Sequence, residues 1–176
     1  MSLFDARRLA ATRGVEIALV GYRNQASGFD PRSGEGARRA GGRYNPPHSF
    51  PVLYLCTTRP CVVAELTRQA RRQGIDVADL LPRELWTVTS SLTNVLDLTN
   101  PAVLTALELE PTTLAGDDMR VTREIGEAAY EHRFQAIRSA SATGVDDVIA
   151  VFTECLSGAV LDATLVQEWR VPSDLQ

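Results

Sequence analysis

The stretch VLYLCTTRPCVVAELTRQARRQG, residues 52–74, contains the clearest secondary-structure signals of the chain. The apolar run at 52–55 predicts a buried strand. A helix is predicted over 60–73, because Thr58 can cap its start, Pro60 suits its first turn and Gly74 can end it. A strand therefore leads directly into a helix at this point of the fold.

The helix predicted over 60–73 has two different faces. An apolar stripe predicts core packing and comprises Val62, Val63, Leu66 and Ala70. On a different face, Glu65 can pair with Arg68 three residues later, as charged neighbours on a helix often do. A carboxylate can also stabilise the cationic transition state that forms when a glycosidic bond breaks. Both interpretations of Glu65 stay open at this point.

The remaining predicted elements follow a mixed order. Strands are predicted at 85–89, 94–98, 135–138, 148–153 and 160–166, and helices at 101–107 and 120–132. Because strands and helices do not alternate regularly, a doubly wound parallel sheet is not expected. The sequence predicts an α+β fold in which helices flank a twisted, mixed or antiparallel sheet.

The chain has 176 residues, of which 44% are hydrophobic and 23% are charged. A chain of this length can form one domain around one core, and its composition argues against disorder. No apolar run approaches the roughly 20 residues that span a bilayer, and arginines interrupt the N-terminal apolar residues where a secretory signal would lie. We expect a single domain over 1–176, a cytoplasmic location and no membrane partner.

The cysteines and histidines do not predict a metal site or a disulfide framework. Cys56, Cys61 and Cys155 are odd in number and include no C-x-x-C motif, so we expect them to be reduced. His48 and His132 lack the spacing of metal ligands. We therefore expect no bound metal.

Charge is distributed unevenly along the chain. Residues 1–72 contain twelve arginines and five acidic residues, whereas 73–176 contain six arginines and seventeen acidic residues. All 18 Lys and Arg residues counted in the chain are arginine, and none is lysine. Arginine is the side chain best suited to bidentate recognition of phosphate groups. The net charge of −4 argues against a nucleic-acid partner. A small anionic ligand fits this distribution better.

Glycines and prolines are concentrated between residues 28 and 47, which predicts a long structured loop. Within it, Gly41-Gly42-Arg43 would let backbone approach a ligand closely and would place a guanidinium beside it, as an anion-binding loop requires. A solvated turn with scattered arginines is the alternative. The sequence GEGARR at 34–39 lacks the third glycine and the strand–turn–helix context of a dinucleotide-binding loop.

Arg23, Tyr54 and two serines are further candidates. Arg23 follows an apolar run that ends at Val20, so it is predicted at a strand end that faces either a cleft or solvent. Tyr54 lies in an apolar strand, where an aromatic ring is normally core, although such a ring can also stack on a cationic heterocycle. Ser139 and Ser141 end a predicted strand and by themselves indicate only a cap or a turn.

Together these features resemble the RES-domain family of bacterial toxins, which is named for an arginine, a glutamate and a serine. The resemblance runs from about Arg23 to Thr153 and implies one RES domain with a core over about 16–166. Glu65 follows Arg43 by 22 positions, as in the family pattern. The matching segments are Gly21-Tyr22-Arg23, Gly41-Gly42-Arg43-Tyr44-Asn45-Pro46-Pro47, Leu53-Tyr54-Leu55, Ala64-Glu65-Leu66 and Ala136-Ile137-Arg138 with Ser141-Ala142.

The resemblance implies a fold similar to that of ADP-ribosyltransferases and cleavage of the nicotinamide–ribose bond of NAD⁺. NAD⁺ is then the substrate, no separate cofactor is implied, and water or inorganic phosphate is the acceptor. By position, Arg23 and Arg43 would hold the NAD⁺ diphosphate, with Arg43 also counted as catalytic. Glu65 would act at the reacting ribose, and Tyr54 would lie against nicotinamide.

The resemblance also implies roles for Tyr44, Asn45 and a serine, although two of these positions depart from the usual family pattern. Tyr44 and Asn45 belong to the substrate-binding segment, and Tyr44 stands where the family often has tryptophan. Ser141 is the implied pocket serine. Ala140 stands where a proline often precedes that serine, so Ser139 competes with Ser141 for this role.

The resemblance also implies a partner. A helical Xre-type antitoxin would obstruct the NAD⁺ pocket, and a homodimer is a further option. The net positive charge of residues 1–72 would suit an acidic segment of the antitoxin, a hypothesis that charge reversal at Arg38 and Arg39 can test. Two other functions stay open: transfer of ADP-ribose to a protein, and a catalytically silent NAD⁺-binding or interaction module in which Glu65 only pairs with Arg68.

Overall fold

The computed structural model describes residues 3–176. Its strands are β1 Val15–Gln25, β2 Val52–Cys56, β3 Arg83–Asp97, β4 Ala136–Ala140, β5 Asp147–Phe152 and β6 Asp162–Trp169. Its α-helices are α1 Glu35–Ala40, α2 Arg59–Gln73, α3 Pro101–Leu107, α4 Pro111–Ala115 and α5 Arg120–Glu131. Short 3₁₀ segments lie at Ala6–Ala11, Val77–Leu80, Thr153–Cys155 and Pro172–Leu175. No helix within residues 3–176 is long and apolar enough to cross a membrane.

The strands form one sheet in the order β1-β2-β5-β4-β3-β6, and β1 also pairs with β3. This extra pairing closes five strands into a ring and leaves β6 outside it, on β3. All neighbouring strands are antiparallel except β3 and β4, which run parallel over residues 95–97. The mixed sheet and its flanking helices confirm the predicted α+β class. Closure of the ring was not predicted.

A single long strand, β3, replaces the two strands predicted at 85–89 and 94–98. It pairs with β1 along one edge and with β6 along the other. The polar residues Ser91 and Thr93 continue the strand because the ladder is formed by backbone groups, and both of these side chains are exposed. Polar residues at exposed strand positions therefore concealed the continuity of β3.

The loop predicted between residues 28 and 47 contains the short helix α1. Its six residues include Gly36, and the residue that follows the helix, Gly41, has a positive φ of 75°. A helix of this length gives almost no periodic signal, so glycine content alone predicted a loop. The segment that follows α1, residues 41–47, is called the arginine turn below because it contains Arg43.

Helix α2 begins one residue before its predicted start and ends where predicted. The Thr58 hydroxyl accepts a hydrogen bond from the Cys61 amide at 3.3 Å, and Gly74 ends the helix in the left-handed conformation. The helix packs against Leu85 and Trp169, and its buried residues are Cys61, Val62, Leu66 and Ala70. Glu65 lies outside this buried set and is only partly covered.

The sheet core is shared by all five strands of the ring. Its buried side chains are Leu19, Leu53, Leu55, Val88, Leu92, Val95, Ala136, Ile149 and Val151, together with Leu161. A second cluster joins the sheet to α3, α4 and α5 and includes Leu104, Leu114, Ile125, Ala129 and Phe152. A third cluster joins Cys56 of β2 to Val62 and Leu66 of α2, with Tyr22 of β1 packed against it, and so fixes α2 relative to the two strands.

Cys56 and Cys61 are joined by a disulfide, so the prediction that all three cysteines are reduced is wrong for this pair. Cys56 ends β2 and Cys61 lies in the first turn of α2. The turn between them brings their Cα atoms to 5.6 Å, within the usual range for a disulfide. The prediction relied on the number and motif spacing of the cysteines, which do not report this proximity. Cys155 is free and buried.

Candidate active site

A cleft of about 470 Å³ lies between α2, the arginine turn and strands β1 and β2. The sheet topology explains its position, because β1 and β2 are neighbours and α2 follows β2 directly. Predicted site residues among its lining are Arg23, Arg43, Tyr44, Tyr54 and Glu65. The structure therefore brings together, from three separate parts of the chain, most of the residues that the sequence singled out.

Glu65 is held from behind the cleft by Ser141. The Ser141 hydroxyl donates to Glu65 Oε1 at 2.8 Å, and Ser141 itself is buried. Thr143 contacts the same hydroxyl twice, through its side-chain oxygen at 2.6 Å and its backbone amide at 3.1 Å. Sequence reasoning missed Thr143, and only its position two residues after Ser141 could have suggested a role.

Ser139 lies elsewhere. It belongs to β4, is fully buried and lies beside the Tyr44 hydroxyl. Of the two competing serines, Ser141 is thus the one that contacts Glu65. Ser139 lies within β4, on the same face as Ile137, whereas Ser141 lies beyond the end of that strand, where the alternation of side chains no longer fixes its direction.

The arginine turn is closed by backbone and side-chain hydrogen bonds. Gly42 N–H donates to the Asn45 carbonyl at 2.9 Å, and Tyr44 N–H donates to the Tyr54 hydroxyl at 2.8 Å. The Tyr54 hydroxyl donates in turn to Asn45 Oδ1 at 2.8 Å, and Asn45 Nδ2 donates to the Ala37 carbonyl at 2.7 Å. These bonds fix the backbone on either side of Arg43.

Asn45 and Tyr44 were both predicted to bind substrate, and their side chains are both buried in the structure. Asn45 is fully buried and its amide is engaged by protein groups, so its side chain shapes the turn and does not line the cleft. Tyr44 is among the residues that border the cleft, but its side chain is fully buried. The sequence could not separate these roles, because structural and ligand-binding residues are adjacent in the same motif.

Tyr54 supports the turn through its hydroxyl while its ring borders the cleft. Burial raises the pKa of Tyr54, so the phenol stays protonated and can donate to Asn45. A Cβ atom at Gly42 would lie 2.5 Å from the Tyr54 hydroxyl oxygen, and this close approach explains the glycine at position 42. Tyr54 therefore sets the distance between β2 and the arginine turn.

Helix α5 supports the arginine turn from the other side. Arg123 Nε donates to the Gly42 carbonyl at 3.1 Å. A Cβ atom at Gly126 would lie 1.8 Å from the Tyr44 carbonyl oxygen, so only glycine lets α5 pack at this distance. Sequence reasoning missed both residues, because a glycine and an arginine inside an amphipathic helix give no signal of a tertiary contact.

Arg23 and Arg43 each hold a loop while bordering the cleft. Arg23 Nη1 donates to the carbonyls of Pro31 and Ser33, both at 3.1 Å. Arg23 was predicted at a strand end but lies within β1, opposite Trp86 of β3. Burial lowers the pKa of Arg23, yet an arginine remains cationic at physiological pH.

Arg43 is engaged in the same way from the arginine turn. Its Nη1 donates to the carbonyls of Leu114 and Gly116, both at 2.8 Å. Burial lowers the pKa of Arg43 and the neighbouring Arg68 opposes its charge, while Glu65 favours it. Apart from Arg23 Nε, which is buried, the remaining donors of the two guanidinium groups are the ones that can meet an anionic ligand.

Arg68 and Arg72 also border the cleft, and neither was predicted as a site residue. Arg68 Nη2 donates to Asp117 Oδ1 at 2.8 Å, and Arg72 Nη2 donates to the same oxygen. The ion pair of Arg68 is therefore with Asp117, and the alternative in which Glu65 pairs with Arg68 is wrong. Helical spacing alone could not show that a distant aspartate would compete for Arg68.

Residues 3–176 contain no group of three or more His, Cys, Asp or Glu side chains arranged to hold a metal ion. The site instead combines one carboxylate, a serine that orients it and several guanidinium groups. Such an arrangement can bind a phosphate-containing ligand and stabilise positive charge that develops on a sugar ring.

The α+β fold and the arrangement of arginines, a glutamate and a serine in its cleft are features of one protein family. The model of the RES domain matches residues 19–174, and the chain belongs to the RES domain family. Curated relatives named NAD(+) phosphorylase MbcT, from Mycobacterium bovis and Mycobacterium tuberculosis, are 33% identical over 150 residues. The match covers 84% of this chain and 81% of each relative.

The fold has a counterpart among solved structures. One chain of the crystal structure of the M. tuberculosis MbcT–MbcA toxin–antitoxin complex superposes with a TM-score of 0.80 and 29% sequence identity. The superposition covers 97% of this chain and 94% of that chain. The likeness therefore extends over the whole fold and is not restricted to the cleft.

Proposed function

We propose that this protein is the toxin of a type II toxin–antitoxin pair and that it depletes NAD⁺ by cleaving the nicotinamide–ribose bond. One observation carries the proposal. The Glu65 carboxylate lies in a cleft bordered by arginines and is oriented by the buried Ser141 hydroxyl at 2.8 Å. The RES-domain membership and the relatives named NAD(+) phosphorylase support the choice of NAD⁺ as substrate.

Each cleft residue has a proposed task. Arg23 and Arg43 bind the diphosphate with the donors that the loop carbonyls leave free, and so fix the substrate near Glu65. Tyr54 presents its ring to the nicotinamide. As the C1″–N bond breaks, Glu65 stabilises the positive charge that develops on the ribose. The electron pair leaves with nicotinamide, whose ring nitrogen thereby loses its charge.

The proposed acceptor is inorganic phosphate, which would give ADP-ribose-1″-phosphate. The name of the relatives supports phosphate over water. NAD⁺ is consumed as substrate, and the proposed chemistry uses no separate cofactor or metal.

The proposal includes a protein partner and a wider fold relationship. A neighbouring structure is a toxin–antitoxin complex, which supports an antitoxin that obstructs the cleft, and we expect it to be of the Xre type. The mixed sheet and the position of the cleft support a fold similar to that of ADP-ribosyltransferases. The cytoplasm, where NAD⁺ and phosphate are abundant, is the proposed location.

The test is nicotinamide release by purified, antitoxin-free protein, with product masses determined in the presence and absence of phosphate. Phosphate-dependent ADP-ribose-1″-phosphate supports a phosphorylase, and free ADP-ribose supports a glycohydrolase. Adenylate-labelled NAD⁺ that becomes attached to protein would instead support an ADP-ribosyltransferase. A folded wild type that releases no nicotinamide would overturn the proposal.

A further inference from the structure

Arg68 and Arg72 form a cationic surface beside Glu65 that the proposed handling of NAD⁺ does not use. The three residues follow one another at spacings of three and four along α2, so they lie on one face of the helix. All three border the main cleft. Arg68 and Arg72 also border a second opening of about 480 Å³ at the outer side of the cleft, next to Gly116 and Asp117.

Asp117 is the present counter-ion of this surface. One of its carboxylate oxygens accepts from both Arg68 and Arg72. The Asp117 side chain is 83% exposed, whereas that of Arg68 is 23% exposed. An ion pair with so exposed a carboxylate contributes little to stability and is readily exchanged for another anion. Two guanidinium groups that converge on one oxygen suit a phosphate, which offers several oxygens and a higher charge.

The charge of the site leaves room for a second anion. Among the described residues, the cleft and its second opening are bordered by the arginines Arg23, Arg43, Arg68, Arg71 and Arg72 and by the carboxylates Glu65 and Asp117. Positive charge is therefore in excess. NAD⁺ neutralises only part of this excess, because its cationic nicotinamide ring offsets part of the diphosphate charge. The remaining excess favours binding of a further anion beside NAD⁺.

We propose that Arg68 and Arg72 bind the acceptor phosphate, which takes the position of the Asp117 carboxylate. This inference rests on the proposed NAD⁺-cleaving function. In the step itself, a phosphate oxygen forms a bond to ribose C1″ while the C1″–nicotinamide bond breaks. The bonding pair leaves with the nicotinamide nitrogen, and the phosphate proton is lost to solvent after transfer.

The location suits an acceptor. Arg68 lies one helical turn from Glu65, so a phosphate on Arg68 would be close to the carbon that Glu65 stabilises. A phosphate approaching Glu65 unaided would be repelled by its carboxylate. Two guanidinium groups on the same helix face offset that repulsion and hold the nucleophile in position.

The test varies NAD⁺ and phosphate independently in steady-state assays of the full-length protein. Arg68→Gln and Arg72→Gln are each expected to raise KM for phosphate about tenfold or more, as for loss of a charge-assisted hydrogen bond, while KM for NAD⁺ changes less than about twofold. Arg39→Gln is the control, because it removes the same charge from an exposed position of α1 that borders neither opening, and it should leave KM for phosphate within about threefold.

Asp117→Asn gives a result with the opposite sign. Because Asp117 competes with phosphate for the two arginines, its neutralisation should lower KM for phosphate about two- to fivefold. A purely structural ion pair predicts no such gain. An increase in KM for NAD⁺ with unchanged KM for phosphate in the arginine variants would overturn the inference and assign Arg68 and Arg72 to the dinucleotide.

A turnover-independent measurement separates this inference from the proposed function. Titration of inorganic phosphate followed by ³¹P NMR line broadening should show saturable binding to the wild type and to Arg39→Gln, and weaker binding to Arg68→Gln and Arg72→Gln. Binding with this pattern supports the site even if no nicotinamide is released. Equal binding by all four proteins overturns it, even if NAD⁺ is cleaved.

Discussion

The Ser141 hydroxyl and the Glu65 carboxylate are hydrogen-bonded at 2.8 Å, although 76 residues separate them in the chain. The direction of the bond is determined, because an ionised carboxylate can only accept. The single Ser141 proton is thus used on Glu65. Thr143 must therefore donate its own hydroxyl proton, as well as its backbone N–H, to the Ser141 oxygen.

Removal of the Thr143 hydroxyl should lower kcat and leave KM for NAD⁺ nearly unchanged. Thr143→Val is expected to reduce kcat about three- to tenfold, because the Ser141 proton is then free to rotate away from Glu65. Thr143→Ser keeps the hydroxyl and should retain most of the activity. Ser141→Ala should lower kcat more than Thr143→Val does. Equal activities of Thr143→Val and wild type would show that Thr143 does not position Ser141.

Neutralisation of Glu65 should remove catalysis and preserve the fold. Glu65→Gln is expected to lower kcat about 100-fold or more, since the amide cannot stabilise positive charge on the ribose. The unfolding temperature should stay within a few degrees, because Glu65 lies outside the buried face of α2. Nicotinamide release and thermal unfolding are measured on the same samples. A fully active variant would exclude Glu65 from the chemistry.

Gly126 is expected to be intolerant of even one methyl group. A Cβ atom there would lie 1.8 Å from a backbone oxygen of Tyr44, so Gly126→Ala should lower the free energy of unfolding by about 1–3 kcal/mol despite the better helix propensity of alanine. Gly36→Ala is the matched control in α1, because nothing lies within 4 Å of that Cβ position. Urea unfolding should find Gly36→Ala neutral or more stable than wild type.

Stability should decrease at alkaline pH because of Tyr54. Burial raises the pKa of Tyr54 in the folded protein, whereas the unfolded chain ionises near the ordinary tyrosine value of 10.0. Above that pH the unfolded state binds fewer protons than the folded state, so the free energy of unfolding falls as pH rises. Urea unfolding between about pH 8 and pH 11 should give a shallower slope for Tyr54→Phe than for wild type. Parallel slopes would contradict the assignment.

The sequence was sufficient to predict the helices whose ends carry clear capping residues. Thr58 and Gly74 delimit α2 to within a residue, and α3 occupies the range predicted for it. Short or polar elements were missed for opposite reasons. Helix α1 is only six residues long and contains glycine, whereas the exposed polar residues of β3 looked like a break between two strands.

At the candidate active site, the residues that border the cleft were easier to predict than the role of each one. Arg23, Arg43, Tyr54 and Glu65 all border the cleft, but the Asn45 side chain is buried within the arginine turn. Contacts between distant segments carry no local signal. The sequence therefore could not show that Arg68 forms an ion pair with Asp117 or that Arg123 donates a hydrogen bond to the Gly42 carbonyl.

The hydrogen bonds of Arg43 to main-chain carbonyls affect how far the sequence of its partners can diverge. Its partners at the C-terminal end of α4 are the main-chain oxygens of Leu114 and Gly116. Because every residue type supplies a carbonyl, the side chains of that segment can change during evolution while the contact with Arg43 persists. Relatives whose sequences no longer align over this segment can thus retain the same support for the arginine, provided that the length of the loop is kept.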